Sequence, residues 1–290
     1  MSPHPAKASL DDWLRDSARQ LSEALDRQCA PVLEARMLAQ VVLGVSRSWL
    51  VAHGREALAE DRRALLDGLL QRRLTGEPMA HILGEREFYG RRFRVSPATL
   101  IPRPETEHLV EAALARAHQG MIRVLDIGTG SGCVAITLKL ERPHWQVTGI
   151  DVSAAALAVA RDNAAALDAA VDWRESDLFD ALAGERFDLI VGNPPYVSAG
   201  DPHLDQGDVR FEPRLALVSG ADGLDHIRRI VREAPEHLAV GGWLILEHGW
   251  DQAEAVAALL ASSGFVDGFM QRDLAGQARI CGGRWSPTGA

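Results

Sequence analysis

The three cysteines of this 290-residue chain, Cys29, Cys133 and Cys281, lie far apart. None sits at metal-ligand spacing, so a structural zinc site is excluded and no metal is expected. They read instead as small buried residues in a reducing cytoplasm. No apolar run approaches the length of a membrane span, and residues 1–10 have no apolar signal core, so no membrane partner is expected. Excess positive charge is also missing. A net charge of −9 argues against a general grip on duplex DNA or RNA, which needs a basic surface. Internal repeats and low-complexity segments are absent. The remaining composition, 47% hydrophobic and 24% charged, is that of a globular chain of one or two domains.

Residues 10–74 read as helical throughout. Ser9-Leu10-Asp11-Asp12 is an N-cap followed by acidic residues. Apolar residues then recur at spacings of three and four: Leu21, Leu25, Leu33, Met37, Leu38, Val41 and Val42. Residues 1–75 are therefore expected to form a small helical bundle. Arg62, Arg63, Arg72 and Arg73 are expected on its exposed faces, either solvated or meeting an acidic partner. Residues 76–103 change character, with glycines at 76, 84 and 90. Within them, residues 87–95 read as a β-hairpin connector. Pro104 stands near the first turn of a following helix whose dipole Glu107 favours, while Arg103 and Glu105 either line a cleft or only serve that helix entry. From residue 121 onward strands and helices alternate. That pattern predicts an α/β domain over 104–290, a parallel sheet with helices on both faces and a terminal strand pair.

Val124-Leu125-Asp126-Ile127-Gly128-Thr129-Gly130-Ser131-Gly132 follows the first strand of this domain and precedes a helix. Its glycines let backbone approach a ligand. A dinucleotide fingerprint needs two residues between its second and third glycine, and only Ser131 separates Gly130 from Gly132. Asp126, just ahead, would repel a pyrophosphate and suit an ammonium group. Asp151 ends the next strand, where a carboxylate can accept both ribose hydroxyls. An amino-acid group, a ribose and no phosphate together describe S-adenosylmethionine. Asp177, after a short third strand, either accepts from the adenine amino group or caps the next turn. Leu178 would pack near the ring.

A further apolar strand, residues 187–191, runs into Asn193-Pro194-Pro195-Tyr196. Two prolines remove two backbone donors and stiffen the chain into a corner. Such a corner suits a planar NH2 group. Asn193 Oδ1 and the Pro194 carbonyl can each accept one of its N–H bonds, with Tyr196 packed on the plane. Alone, it does not separate an adenine from a side-chain amide. No general base is evident. His248, in Glu247-His248-Gly249, reads as structural. Arg210 and Glu212 read as a surface pair that could also shape a cleft.

Taken together, these stretches resemble the protein-(glutamine-N5) methyltransferases that modify peptide chain release factors. The resemblance covers most of the chain. It rests on Gly84-Glu85-Arg86-Glu87-Phe88-Tyr89-Gly90, Ile101-Pro102-Arg103-Pro104-Glu105-Thr106-Glu107, the Asp126 to Gly132 turn, Asn193 to Tyr196, Gly207-Asp208-Val209-Arg210-Phe211-Glu212-Pro213 and Leu246-Glu247-His248-Gly249. Asn-Pro-Pro-Tyr alone is shared with adenine-N6 DNA methyltransferases, and its combination with Pro-Arg-Pro-Glu-Thr-Glu is narrower. The resemblance implies a class I, Rossmann-like methyltransferase domain with a seven-stranded sheet, behind a helical domain that recognises the substrate. It implies S-adenosylmethionine, released as S-adenosyl-L-homocysteine, held by Gly128, Thr129, Gly130, Ser131, Gly132, Asp151, Asp177, Leu178 and Asn193. The implied substrate is the glutamine of the Gly-Gly-Gln motif in class 1 release factors, with no direct nucleic-acid binding. Some members carry an aromatic residue at the position of Leu178, so apolar contact replaces stacking here. Two rival substrates remain, an adenine in nucleic acid and a ribosomal-protein glutamine. A third reading is a non-catalytic binder.

Overall fold

A computed structural model describes residues 9–25, 29–117 and 120–287. The reading of the first ten residues therefore falls mostly outside the described residues. The chain divides into two compact units, residues 1–84 with 203–211, and residues 85–202 with 212–290.

The first unit is built from α1 (Leu10–Ala24), α2 (Pro31–Leu43), α3 (Arg47–Ala52), α4 (Glu60–Leu74) and α5 (Met79–Leu83). Helix α1 starts with a reciprocal cap. Asp12 N donates to Ser9 Oγ at 3.2 Å, and Ser9 N donates to Asp12 Oδ2 at 3.2 Å. Pro31 opens α2, and Gly44 closes it in the left-handed region at φ +69°. Leu10, Trp13, Leu21, Leu38, Leu50, Leu66 and Leu70 make the core. Leu33 and Val41, read as part of the apolar stripe, are instead 49% and 54% exposed. Helix α2 is apolar around more than one face, and only Ala35, Leu38 and Ala39 among its apolar residues are fully buried.

Arg73 corrects a second expectation, because it is buried. Its Nε donates to Glu34 Oε2 at 2.8 Å and its Nη1 to Asp208 Oδ1 at 2.9 Å. The guanidinium thus ties α2 and α4 to the 203–211 segment, where Arg210 Nη2 also donates to Thr75 O at 2.7 Å. Removing one partner of a buried pair leaves the other charged and unsatisfied. Arg73→Met is expected to cost about 3–5 kcal/mol of stability, read from denaturant midpoints. Arg72→Met, at a half-exposed pair, is expected to cost less than about 1 kcal/mol.

The second unit opens with the hairpin β1 (Glu85–Phe88) and β2 (Arg91–Arg94). Tyr89 and Gly90 form its two-residue turn at φ +51° and +70°. Tyr89 N donates to Glu107 Oε1 at 2.7 Å, so Glu107 fastens the hairpin to the helix it begins. A 3-10 turn, Pro104–Thr106, leads into α6 (Glu107–Arg116). There follow β3 (Arg123–Ile127), α7 (Cys133–Glu141), β4 (Gln146–Asp151), α8 (Ala154–Ala166), β5 (Asp172–Glu175) and β6 (Phe187–Gly192). The unit closes with α9 (Asp225–His237), β7 (Leu238–Glu247), α10 (Ala253–Ser262), β8 (Phe265–Arg272) and β9 (Ala278–Trp285).

The seven strands are ordered β5-β4-β3-β6-β7-β9-β8. β3 to β7 pair in parallel, and β9 pairs antiparallel with both β7 and β8. This is the seven-stranded sheet that the sequence leads one to expect. Successive residues point to opposite faces. Leu125, Ile190, Leu244 and Leu246 share one apolar layer with residues of α9 and α10. Val124, Leu189, Val191 and Ile245 share the other with residues of α6 and α7. Among the described residues no helix is long and apolar enough to cross a membrane.

Candidate active site

The chain runs outward from β3 through β4 to β5, then returns to place β6 on the other side of β3. At such a switch point the loops at the carboxyl ends diverge and leave a crevice. A cleft of about 1100 Å³, its open mouth included, lies there. Every cofactor residue picked from the sequence lines it except Gly132: Asp126, Gly128, Thr129, Gly130, Ser131, Asp151, Asp177, Leu178 and Asn193. Pro195 also lines it, whereas Pro194 and Tyr196 do not. Gly132 has a packing task instead. It caps α7 at φ +80°, and a Cβ there would stand 2.9 Å from the Trp173 ring and 3.0 Å from Ile136.

Asp126 is buried, and its Oδ2 accepts from Thr129 Oγ1 at 2.6 Å and from Ala135 N at 3.2 Å. The carboxylate therefore folds the glycine turn onto the start of α7 while lining the cleft. Burial pushes its pKa up to about 7 against those hydrogen bonds, and Asp151 adds to the rise. Asp151 accepts from Gly130 N through Oδ2 and from Ser153 N through Oδ1, both at 2.9 Å. Burial raises its pKa too. No ion pair to either carboxylate is found among the described residues. Asp177 differs. It is exposed and its Oδ1 already accepts from Arg229 Nη1 at 2.8 Å. Leu178 is buried at φ +49°, a conformation uncommon outside glycine, and its carbonyl accepts from Ser176 Oγ at 2.7 Å.

Asn193 follows the last residue of β6. Its Nδ2 donates to Thr106 Oγ1 at 3.2 Å. Its Oδ1 is buried and has no hydrogen-bond partner among the described residues. An orphaned buried acceptor of this kind is costly to keep. The corner is clamped elsewhere. Gln252 Nε2 donates to the Tyr196 carbonyl at 3.0 Å, and Tyr196 Oη donates to Glu247 Oε1 at 3.3 Å. Gly223 passes so close that a Cβ would lie 2.3 Å from the Tyr196 carbonyl oxygen. Burial, and then Glu247, raises the Tyr196 pKa, which keeps the phenol protonated.

Two further readings resolve here. Glu212 is not a surface partner of Arg210. Its buried carboxylate accepts from Ile101 N at 2.8 Å and pairs with Arg103, which lines the cleft. His248 is fully buried, with Nδ1 2.8 Å from Gly249 O and Nε2 3.1 Å from Cys281 Sγ, a structural placement. The sequence reading passed over Thr106, Glu247 and His226, although Thr106 and His226 line the cleft. Glu247 carried a signal: like Asp151, it is an acid that ends an apolar strand.

Residues 12–84 match the family of the PrmC N-terminal domain, and residues 105–208 match that of the methyltransferase small domain. The release factor glutamine methyltransferase of Neisseria gonorrhoeae is 52% identical over 88% of this chain and 94% of its own. That of Salmonella typhimurium is 45% identical over 95% and 98%. The chain belongs to the release factor glutamine methyltransferase family. The membership bears out the resemblance read from the motifs. The fold of this member is also that of a 16S rRNA N2 G1207 methyltransferase from T. thermophilus, solved with AdoMet and guanosine. The two agree with a TM-score of 0.52 at 22% identity, over 69% of this chain and 49% of the other.

The glycine turn yields a direct test. Gly132→Ala adds a Cβ into the Trp173 ring at positive φ. It is expected to cost about 1–3 kcal/mol, seen as a lower thermal midpoint.

Proposed function

We propose that the protein transfers the methyl group of S-adenosylmethionine to the side-chain amide nitrogen of the glutamine in the Gly-Gly-Gln motif of class 1 peptide chain release factors. The observation that carries this reading is the buried, unpartnered Oδ1 of Asn193 at the cleft of a release factor glutamine methyltransferase family member. The residues around the cleft fit the cofactor. Asp126 and Asp151 offer carboxylates with no cationic partner among the described residues, and Leu178 offers an apolar surface. The backbone of Gly128 to Ser131, which lines the cleft, can come close to a ligand. When bound, S-adenosylmethionine supplies an electrophilic methyl group on a sulfonium.

The protein's own part is orientation. An amide nitrogen is a weak nucleophile because its lone pair is delocalised. Asn193 Oδ1 and the Pro194 carbonyl accept its two N–H bonds and fix its plane. Positive charge developing on the nitrogen strengthens both bonds, so the corner binds the transition state more tightly than the ground state. Tyr196, with its hydroxyl on Glu247 and its backbone on Gln252, keeps the corner in place. Asp177, already paired with Arg229, is left a minor role toward the adenine. We place the reaction in the cytoplasm, where the free thiols of Cys29, Cys133 and Cys281 persist.

The substrate is tested by offering labelled S-adenosylmethionine with a release factor, its Gln-to-Ala form at Gly-Gly-Gln, a ribosomal-protein acceptor and oligonucleotides. Label is expected on the intact factor alone, and label in nucleic acid would overturn the assignment. Asn193→Ala is expected to lower kcat by about 100-fold or more while cofactor affinity changes modestly. Normal turnover would remove Asn193 from the mechanism. Asp126, with its pKa pushed up to about 7, is ionised above that value and neutral below it. Its hold on a cation is therefore present at alkaline pH and lost on acidification. The cofactor Kd, followed by calorimetry, is expected to rise as pH falls through about 7.

A further inference from the structure

A neutral imidazole has one N–H and one bare nitrogen, and what it binds depends on which nitrogen holds the proton. His226 stands second in α9 and lines the cleft. Its place there is fixed from two sides. Arg229, one turn further along the same helix face, donates to Asp177 Oδ1 at 2.8 Å, which sets His226 beside the turn after β5. Behind the ring, Ser219 Oγ accepts from His226 N at 2.9 Å and lies 2.8 Å from His226 Nδ1. Ser219 is fully buried and does not line the cleft. The ring therefore turns Nδ1 away from the cleft and leaves it the edge that carries Nε2. No hydrogen bond to Nε2 is found among the described residues.

A count of protons decides the tautomer. Ser219 Oγ has one proton, and its hydrogen-bond contacts among the described residues are His226 N and His226 Nδ1. The backbone N–H can only donate. If Nδ1 donated as well, the buried hydroxyl proton would have no acceptor, a costly state. Ser219 therefore donates to Nδ1, and the ring proton sits on Nε2. Protonating the ring leaves Nε2–H in place, so only the tautomer that strands the serine proton removes it.

Side-chain donors are scarce at this end of the cleft. Ser176 Oγ already donates to Leu178 O at 2.7 Å, Asp177 accepts from Arg229, and Leu178 is apolar. His226 is the side chain beside this turn with a proton to offer. With Asp126 at β3 suited to the ammonium group and Asp151 at β4 to the ribose, the adenine falls to the next strand outward, β5. An adenine presents ring nitrogens, which accept, and an amino group, which donates. A donor on His226 selects a ring nitrogen. We propose that His226 binds the adenine of S-adenosylmethionine by donating Nε2–H to one of its ring nitrogens, and that Ser219 holds the imidazole in the tautomer this requires. The proposal rests on the reading of the cleft as the cofactor site.

The test is a binding cycle. S-adenosyl-L-homocysteine and three analogues, in which N1, N3 or N7 of the base is replaced by C–H, are titrated by calorimetry into the full chain and into His226→Phe. Phenylalanine keeps a flat ring and has no N–H. His226→Phe is expected to weaken S-adenosyl-L-homocysteine about fivefold, the loss of one hydrogen bond. One analogue is expected to bind the wild type about fivefold more weakly than the parent compound and to show no such penalty in the variant. The other two are expected to give the same ratio to the parent in both proteins. A histidine that only receives the Ser219 proton gives equal ratios for all three, and that result would overturn the proposal. The wild type alone supplies a second measurement. The nitrogen-15 shifts of the His226 ring are expected to show a protonated Nε2 and a bare Nδ1, with the Nε2–H resonance moving when S-adenosyl-L-homocysteine is added. A proton on Nδ1 alone, or an Nε2–H that does not respond, would sink the assignment. If S-adenosyl-L-homocysteine binds neither protein, the cofactor reading of the cleft fails and this contact with it. If it binds both with equal analogue ratios, the contact alone fails.

Discussion

Parallel strands all end at the same edge of a sheet, and the groups they carry there must meet. This constraint shapes the second unit more than any single contact. β3, β4, β6 and β7 run in register, so Asp126, Asp151, Asn193 and Glu247 arrive at one edge from stretches widely separated in the chain. The return of the chain to the far side of β3 opens the crevice between them. The apolar alternation behind each of these residues holds the strands in place, because a slip of one residue would turn every side chain to the wrong face.

The second consequence is electrostatic. Asp126 and Glu247 are both buried, neither has a bonded cationic partner among the described residues, and burial pushes each up to about 7. A fold selected only for stability would pair such carboxyls or replace them. Elsewhere this protein does pair them: Glu34 with Arg73 and Glu212 with Arg103. Of the first two acids, Asp126 lines the cleft, and Glu247 holds the hydroxyl of Tyr196 at the proline corner. The placement of Asp126 suits a site whose incoming ligand brings the positive charge.

Much of this was legible from residue order. Alternation of short apolar runs with Ala-rich segments marked the strands and helices, Tyr89-Gly90 marked the hairpin, and the glycine turn and the proline corner marked the cleft. The hidden parts share a physical cause. Arg73 reads as one more exposed arginine because its partner Asp208 lies 135 positions away. Glu212 reads as a neighbour of Arg210, yet Ile101 N, its actual partner, is 111 positions distant. The spacing of Leu33 and Val41 is helical, but periodicity does not say which face of an apolar helix will be covered. Thr106 lay inside a recognised motif, but its side-chain contact with Asn193, 87 positions away, is invisible in residue order.

The Arg73 knot reaches into the timing of synthesis. The helices of the first unit leave the ribosome early, but residues 203–211, which carry the Asp208 partner, come only after residues 85–202. Until then the guanidinium has Glu34 and lacks its second carboxylate. At about 5–20 residues per second, translation imposes a wait on the order of ten seconds. The nascent bundle stays a partly finished object during most of the synthesis of the catalytic sheet. Its last fastening arrives from within the sequence of that sheet, which couples completion of the two units along a single chain.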